Sequence, residues 1–184
     1  MDFRILGPLE VETSTGLLAL RGRTQRALLA LLLLHPNEVV ASEQLIEELW
    51  GEAPPETAGK IVQNTVSQLR KLLGPAVLLT RTPGYLLQVE PGRLDAIRFE
   101  TLVDEARRAG DPATASAKLR DALGLWRGLA LADVVYEPFA QAEIARLEDL
   151  RLTAIEDRID AELALGRHGP LAGRTPKGLG LPAS

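Results

Sequence analysis

Residues 27–34 read ALLALLLL, and this stretch restricts the possible folds more than any other in the chain. A helical pattern begins at Arg23 and ends before Pro36 and Asn37, which stop a helix and favour a turn. An eight-residue apolar run cannot cross a bilayer, because a membrane helix takes roughly 20 residues. A helix that is apolar on most sides must be buried. The sequence therefore predicts that this helix lies at the centre of a small core.

The elements predicted around this helix follow the order of a winged helix-turn-helix. Short β patterns precede it in residues 3–11 and 17–20. An apolar stripe at helical spacing predicts a second helix in residues 42–50, and a third runs from about 57 to 73. Residues 76–89 form two apolar β patterns around a Pro-Gly turn, which is typical of a hairpin. Two closely spaced helices with a hairpin after them indicate a recognition helix and a wing.

Residues 94–168 contain hardly any β pattern and are predicted to be helical. Asp95 is expected to cap the first helix, and Asp111, followed by a proline, is expected to cap the second. A long helical pattern runs from Pro138 to about Leu165. Alanines and leucines at i, i+4 spacing favour antiparallel helices of the tetratricopeptide kind, although no strict repeat of about 34 residues is present.

The predicted fold class is thus mainly α with small β-sheets, a winged helix-turn-helix followed by an all-α tetratricopeptide-like domain. We expect the winged-helix domain to occupy residues 1–93 and to fold alone. The helical domain is expected at 94–168. Residues 169–184 are rich in glycine and proline and lack periodicity, so they are predicted to be disordered.

Charge is partitioned along the chain, although the net charge is only −4. Residues 13–37 carry three arginines and no acid, whereas residues 38–56 carry six acids and no base. Residues 57–89 again carry four basic residues and no acid. Where a protein presents one face to a charged partner, this partition matters more than the sum. The third helix and the hairpin both lie in the last of these segments.

Composition excludes several classes of function. The chain has no cysteine and only two histidines, His35 and His168, so no metal site, disulfide or cofactor is predicted. A glycine-rich phosphate loop and a nucleophile-elbow motif are both missing, and the acids of the second half alternate with arginines as on a solvated helix. We therefore predict that the protein is not an enzyme. The N-terminus does not resemble a signal peptide, and a cytoplasmic protein without a membrane segment is expected.

The third predicted helix has one apolar face and one polar face. The spacing of Val62, Val66, Leu69 and Leu73 places them in one narrow sector, which must face the core. The opposite sector collects amide, hydroxyl and lysine side chains without a carboxylate: Lys60, Asn64, Ser67, Gln68 and Lys71. Amides read adenine edges, and lysines bind guanine or phosphate. The alternative is an ordinary solvated face, but such a face in an acidic protein normally mixes Glu with Lys.

Further DNA contacts are predicted on both sides of this helix. Arg81 and Thr82 precede the turn of the hairpin, where a wing touches phosphates or a minor groove. Arg21, Arg23 and Arg26 lie at the start of the buried helix, where backbone amides already favour phosphate. The alternative for these arginines is that they are surface residues without a special partner.

Several segments together resemble the Streptomyces antibiotic regulatory protein family. They are RGRTQRALLALLLLHPNEVV, LIEELWGEAPPETA, VSQLRKLLG, TRTPGYLLQV and LWRGLALADV, with the long helical segment from EPFAQAEIARLEDL onward. The resemblance covers residues 1 to about 168. It implies an OmpR-type winged helix followed by a bacterial transcriptional activation domain of tetratricopeptide-like helices.

The resemblance also implies a function and its partners. Members of this family are activators that bind direct repeats in double-stranded promoter DNA as two or more protomers and help to recruit RNA polymerase. Their recognition helix corresponds to residues 57–73 and their wing to residues 78–89, which adds Tyr85 as a wing residue or a core aromatic. Family members usually continue with more helices, so an incomplete activation domain is expected after His168.

The main rival is a helical-repeat protein-interaction module without specific DNA binding. In that case Trp126 and Phe139, on either side of the loop in the second half, would line a groove for a partner. The other possibility for these two aromatic residues is that they seal a pair of helices.

Overall fold

The computed structural model describes residues 1–166 and contains six helices and six strands in that range. The strands are β1 (Asp2–Arg4), β2 (Glu10–Thr13), β3 (Gly16–Leu17), β4 (Val39–Ala41), β5 (Leu78–Arg81) and β6 (Gly84–Leu87). The helices are α1 (Gly22–Leu33), α2 (Ser42–Trp50), α3 (Ala58–Leu73), α4 (Asp95–Arg108), α5 (Pro112–Leu123) and α6 (Pro138–Ala164), with a 3₁₀ turn at Ala132–Val134. A winged helix is followed by a helical part, which confirms the predicted fold class.

Helix α1 occupies the centre of the core, as its leucine run predicts. Every residue from Ala27 to Leu33 is at most 2% exposed. Helices α2 and α3 pack against it on one side, and the 3₁₀ turn of the helical part packs against it on another. A helix that is apolar on one face only would leave its other face in water. Residues 27–33 of α1 are instead covered by other elements on all sides.

Two three-stranded antiparallel sheets flank the helices. The first has the order β1-β2-β3, and the second has the order β4-β6-β5. Strand β4 has no alternating pattern and only three residues, so the sequence reading does not include it. It pairs with the hairpin through Val39 opposite Leu86 and Ala41 opposite Gly84. The wing is therefore the outer part of a sheet that includes the segment before α2.

Helices α4, α5 and α6 pack side by side in the helical part. Asp111 caps α5 as predicted, because its carboxylate accepts a hydrogen bond from the Thr114 N–H at 2.8 Å. Trp126 is 9% exposed and meets Phe99 edge to face, with ring centroids 5.4 Å apart. The Arg151 guanidinium lies over the Trp126 ring, 4.6 Å from its centroid. Trp126 thus seals the helical core and does not line an open groove.

The N-terminal segment joins the winged helix to the helical part. Asp95 is not the N-cap of α4, since the helix begins at Asp95 itself. Its buried carboxylate accepts hydrogen bonds from the backbone N–H groups of Ile5, at 2.8 Å, and Leu6, at 3.0 Å. In return, the Leu131 N–H donates to the Ile5 carbonyl at 2.8 Å. The buried apolar residues of both parts form one continuous cluster.

Helix α6 is the last helix of the described residues. Helix α6 ends at Ala164, close to the predicted end of the long helical pattern. The segment 169–184, predicted to be disordered, lies outside the described residues, as does His168. Within residues 1–166, no helix combines the length and the apolar character that a membrane span requires.

Candidate nucleic-acid interface

Helix α3 presents the predicted polar face to solvent. Val62, Val66, Leu69 and Leu73 are all at most 4% exposed, which confirms that this sector faces the core. The opposite side is exposed and holds all five predicted contact residues together with a sixth that the sequence reading did not include: Lys60, Gln63, Asn64, Ser67, Gln68 and Lys71. We call these six side chains the α3 face.

The positive charge of the α3 face belongs to Lys60 and Lys71. Within residues 1–166, neither Lys60 nor Lys71 lies within 4.0 Å of a carboxylate oxygen. The arginines of α6 behave differently, since Arg146 bonds to both Glu143, at 2.7 Å, and Glu100, at 2.5 Å. These two hydrogen bonds raise the pKa of Arg146. An unpaired cationic face in an acidic protein is available to a polyanion.

A cleft of about 470 Å³ separates the start of α1 from the α3 face. It is lined by Ala19, Arg21, Gln25, Gln68, Lys71 and Leu72. Gln25 is only 6% exposed, and its Oε1 accepts from the Arg21 backbone N–H at 2.6 Å. The Gln25 Nε2 group donates to Gln68 Oε1 at 3.4 Å. Arg21, whose side chain is exposed, therefore lies across this cleft from Lys71.

The hairpin is held against α3 by Arg70. The Nε group of Arg70 donates to the Leu78 carbonyl at 2.9 Å, and one terminal nitrogen donates to the Thr80 hydroxyl at 2.8 Å. Arg81 and Thr82 are exposed beyond this anchor, at the tip of the hairpin. Arg70 thus links helix α3 to the hairpin.

Gly84 allows β4 to come close to the hairpin. A Cβ atom at this position would lie 1.9 Å from the Val40 carbonyl oxygen, so no larger residue fits without moving the backbone. Tyr85, the next residue, is half-buried and packs against the core cluster. Of the two roles open for Tyr85, the core contact is the one that its packing supports.

Arg23 and Arg26 are not gathered with the α3 face. The Arg23 Nε donates to Glu137 at 2.6 Å, and Arg26 pairs with Asp133 at 2.8 Å. Glu137 is 5% exposed, and its hydrogen bond raises the pKa of Arg23. Both acids belong to the segment that leads into α6. These two arginines therefore bind the helical part, and Arg21 is the member of the predicted trio that stays near α3.

The sequence reading missed three polar residues that shape this surface, namely Gln25, Gln63 and Arg70. Gln63 lies at the edge of the polar sector, and the sequence pattern presents Arg70 only as one of the four basic residues in the acid-free segment. Gln25 lies on the buried side of α1, two positions before the apolar run. The signal in the sequence was Gln25 itself, a polar residue on the side of α1 that must face the core.

Two family descriptions match the chain, one over the winged helix and one over the helical part. Residues 19–87 match the family "Transcriptional regulatory protein, C terminal", and residues 94–177 match the "Bacterial transcriptional activator domain". The fold and these matches define the class of protein as a winged-helix transcriptional regulator and not an enzyme.

Individual relatives define the family. The regulatory protein DnrI of Streptomyces peucetius is 39% identical, and the match covers 93% of this chain and 68% of DnrI. The transcriptional regulator RedD of Streptomyces coelicolor is 33% identical, with 90% of this chain and 50% of RedD covered. The chain belongs to the Streptomyces antibiotic regulatory protein family, which confirms the resemblance seen in the sequence.

A solved structure has the same fold. Mycobacterium tuberculosis EmbR, in complex with a low affinity phosphopeptide, superposes with a TM-score of 0.87 at 34% identity over 90% of this chain. The chain spans 46% of that EmbR chain and 18% of the regulatory protein AfsR of Streptomyces griseus. The match therefore covers only part of these larger relatives.

Proposed function

We propose that this DNA-binding activator places α3 in the major groove of promoter DNA and its hairpin on the adjacent backbone. The observation that carries the proposal is the α3 face, which is exposed, rich in amides and free of carboxylates, with two lysines that have no ion-pair partner in residues 1–166. Side chains of this kind can bind base edges and phosphates, and nothing on this surface would repel the duplex.

The proposal gives the predicted residues separate roles. Asn64, Ser67 and Gln68 lie in the middle of the face and contact base edges. Cationic or hydroxyl side chains at its borders contact phosphates and position the helix: Lys60, Lys71, Arg81, Thr82 and Arg21. Arg23 and Arg26 are assigned to the junction, because their guanidinium groups already bind Glu137 and Asp133.

The partners of the helical part are also proposed. The family resemblance and the match to an activator domain support binding to direct repeats by more than one protomer and contact with RNA polymerase. We assign DNA binding to residues 1–93 and activation to residues 94–168. A protein whose target is promoter DNA acts in the bacterial cytoplasm, and we expect this one to be found there.

The test is selection from a random duplex library, followed by anisotropy titration of the selected duplex and a scrambled duplex over a range of salt. We expect a direct repeat, tighter binding to it than to the scramble, and an affinity that falls steeply with salt as counterions are released. Flat binding, or none by folded protein, would overturn the proposal and favour a protein-interaction module. A single recovered half-site would overturn only the part that concerns more than one protomer.

A further inference from the structure

The cleft beside the α3 face contains a chain of two amide groups that starts from a backbone N–H. At its inner end, the Arg21 N–H donates to Gln25 at 2.6 Å. A backbone N–H can only donate, so the atom of Gln25 that faces it must be the oxygen. The NH₂ group of Gln25 therefore points away from Arg21.

The same logic fixes the second amide. The Gln25 Nε2 lies 3.4 Å from Gln68, so the atom that Gln68 turns towards it must accept, and that atom is Oε1. The NH₂ group of Gln68 is then left for the exposed side of α3. Gln25 is 6% exposed and belongs to the central helix, so it is held more firmly than an exposed side chain.

We propose that Gln25 is a positioning residue for DNA recognition, which orients the amide of Gln68 so that Gln68 offers a donor to the base it meets. This inference rests on the proposed function, since it concerns how one residue of the α3 face reads DNA. Gln25 itself is buried and touches no base.

This orientation decides which base Gln68 prefers. A free glutamine binds adenine with both ends of its amide, because the oxygen accepts from N6 while the NH₂ donates to N7. Here the oxygen is turned towards Gln25, so only the donor reaches the groove. Guanine is the best partner for a donor, because its O6 and N7 both accept in the major groove. Cytosine, whose major-groove group is a donor, is the worst.

The decisive variant is Gln25→Glu. One carboxylate oxygen still accepts from the Arg21 N–H, but the other now faces Gln68, where two oxygens cannot form a hydrogen bond. Gln68 must turn its amide over, which brings its oxygen to the groove. At the operator position read by Gln68, we expect the preference to change from guanine to cytosine or adenine, with a ratio of affinities on the order of 2- to 10-fold for one hydrogen bond.

Gln68→Ala locates that position in the selected operator, and three controls separate the base preference from other effects. The added charge of Gln25→Glu weakens binding to all duplexes alike, and titration of the scrambled duplex measures this loss. In a Gln68→Ala background, Gln25→Glu should leave the base preference unchanged. Gln63→Ala, at another exposed glutamine of α3, should not alter the response to Gln25→Glu.

A second variant and a measurement on the native chain test the inference even if Gln25→Glu does not fold. Gln25→Met keeps the size of the side chain and releases the Gln68 amide, so the preference at that position should relax. In the native protein, the side-chain amide protons of Gln25 should exchange with water more slowly than those of Gln63. Equal exchange rates would overturn the inference even if neither variant folds.

The outcomes for the two proposals can be told apart. If the native chain selects an operator and Gln25→Glu folds but keeps the same preference at the Gln68 position, the inference is wrong and the proposed function stands. The inference is also wrong if Gln68→Ala changes the preference at no position. If the native chain selects no sequence, the proposed function fails and this inference fails with it.

Discussion

The lysines of the α3 face and the arginines at the start of α1 occupy similar segments of sequence but different environments. Both groups lie in stretches without a single acid. In the structure, Lys60 and Lys71 have no ion-pair partner in residues 1–166, whereas Arg23 and Arg26 are paired with acids 114 and 107 positions away. An acid-free stretch of sequence therefore does not by itself make an acid-free surface.

The largest effect is expected when the contact between the N-terminal segment and the helical part is disrupted at Asp95. Asp95→Ala leaves the buried N–H groups of Ile5 and Leu6 without their acceptor. We expect a loss of roughly 2–5 kcal/mol in the free energy of unfolding, measured by urea denaturation. Asp111→Ala is the matched control, since its carboxylate caps only α5 at an exposed site and its removal should cost about 1 kcal/mol. Equal losses in the two variants would contradict a special role of Asp95.

The comparison itself is tested by removing one cation from each group. Lys71→Ala should lower the slope of log affinity against log salt by about 0.9, the value for one phosphate contact. Arg23→Ala should leave that slope unchanged, because its charge is already bound to Glu137 at 2.6 Å. A lower slope in Arg23→Ala, or an unchanged slope in Lys71→Ala, would reverse the assignments.

A subtler change would turn a paired arginine into an unpaired one. Glu137→Gln removes the buried negative charge that pairs with Arg23, whose side chain is 79% exposed. We expect the salt slope to rise, by at most about 0.9. The double variant Arg23→Ala/Glu137→Gln should lose that gain. If the gain survives in the double variant, it does not come from Arg23.

The smallest effect concerns pH. Burial raises the pKa of Asp95, while its hydrogen bonds from Ile5 and Leu6 and the charge of Arg127 oppose the rise. Folding therefore favours the protonated carboxyl, and this contribution to stability is lost as pH rises from about 3.9, the unfolded value, through the raised pKa.

Asp95→Asn cannot ionise and should lack this loss. The free energy of unfolding of the native chain, relative to that of the variant, should fall as pH rises from about 4 to 7, in urea titrations of both proteins. A constant difference over that range would mean that Asp95 has the same pKa in the folded and unfolded states.

What could be predicted from the sequence was local. The burial of α1, the orientation of α3 and the hairpin all follow from periodicity and turn residues within a few positions of each other. The partners of Asp95, Arg23 and Arg26 could not be predicted in this way, because they lie 89 to 114 positions away. Strand β4 was missed because three residues carry no period, and it exists only by pairing with β6.

In the candidate site, too, the local features could be predicted and the contacts between separate elements could not. Periodicity identified five of the six side chains on the α3 face, since exposure on an amphipathic helix depends on that helix alone. The anchor from Arg70 to the hairpin and the amide chain from Gln25 to Gln68 depend on how separate elements meet. No pattern within one helix contains that information.

The hydrogen bonds of the N-terminal segment have a consequence for how the protein is made. The Leu9 N–H finds its acceptor on Asp133, 124 positions later. Because a ribosome adds about 5–20 residues per second, the beginning of the chain waits roughly 6–25 s for that partner to be synthesised. Helices α1, α2 and α3 are complete well before then. In a nascent chain, helix α3 is therefore complete before the segment between β1 and β2, which contains Leu9, has this partner.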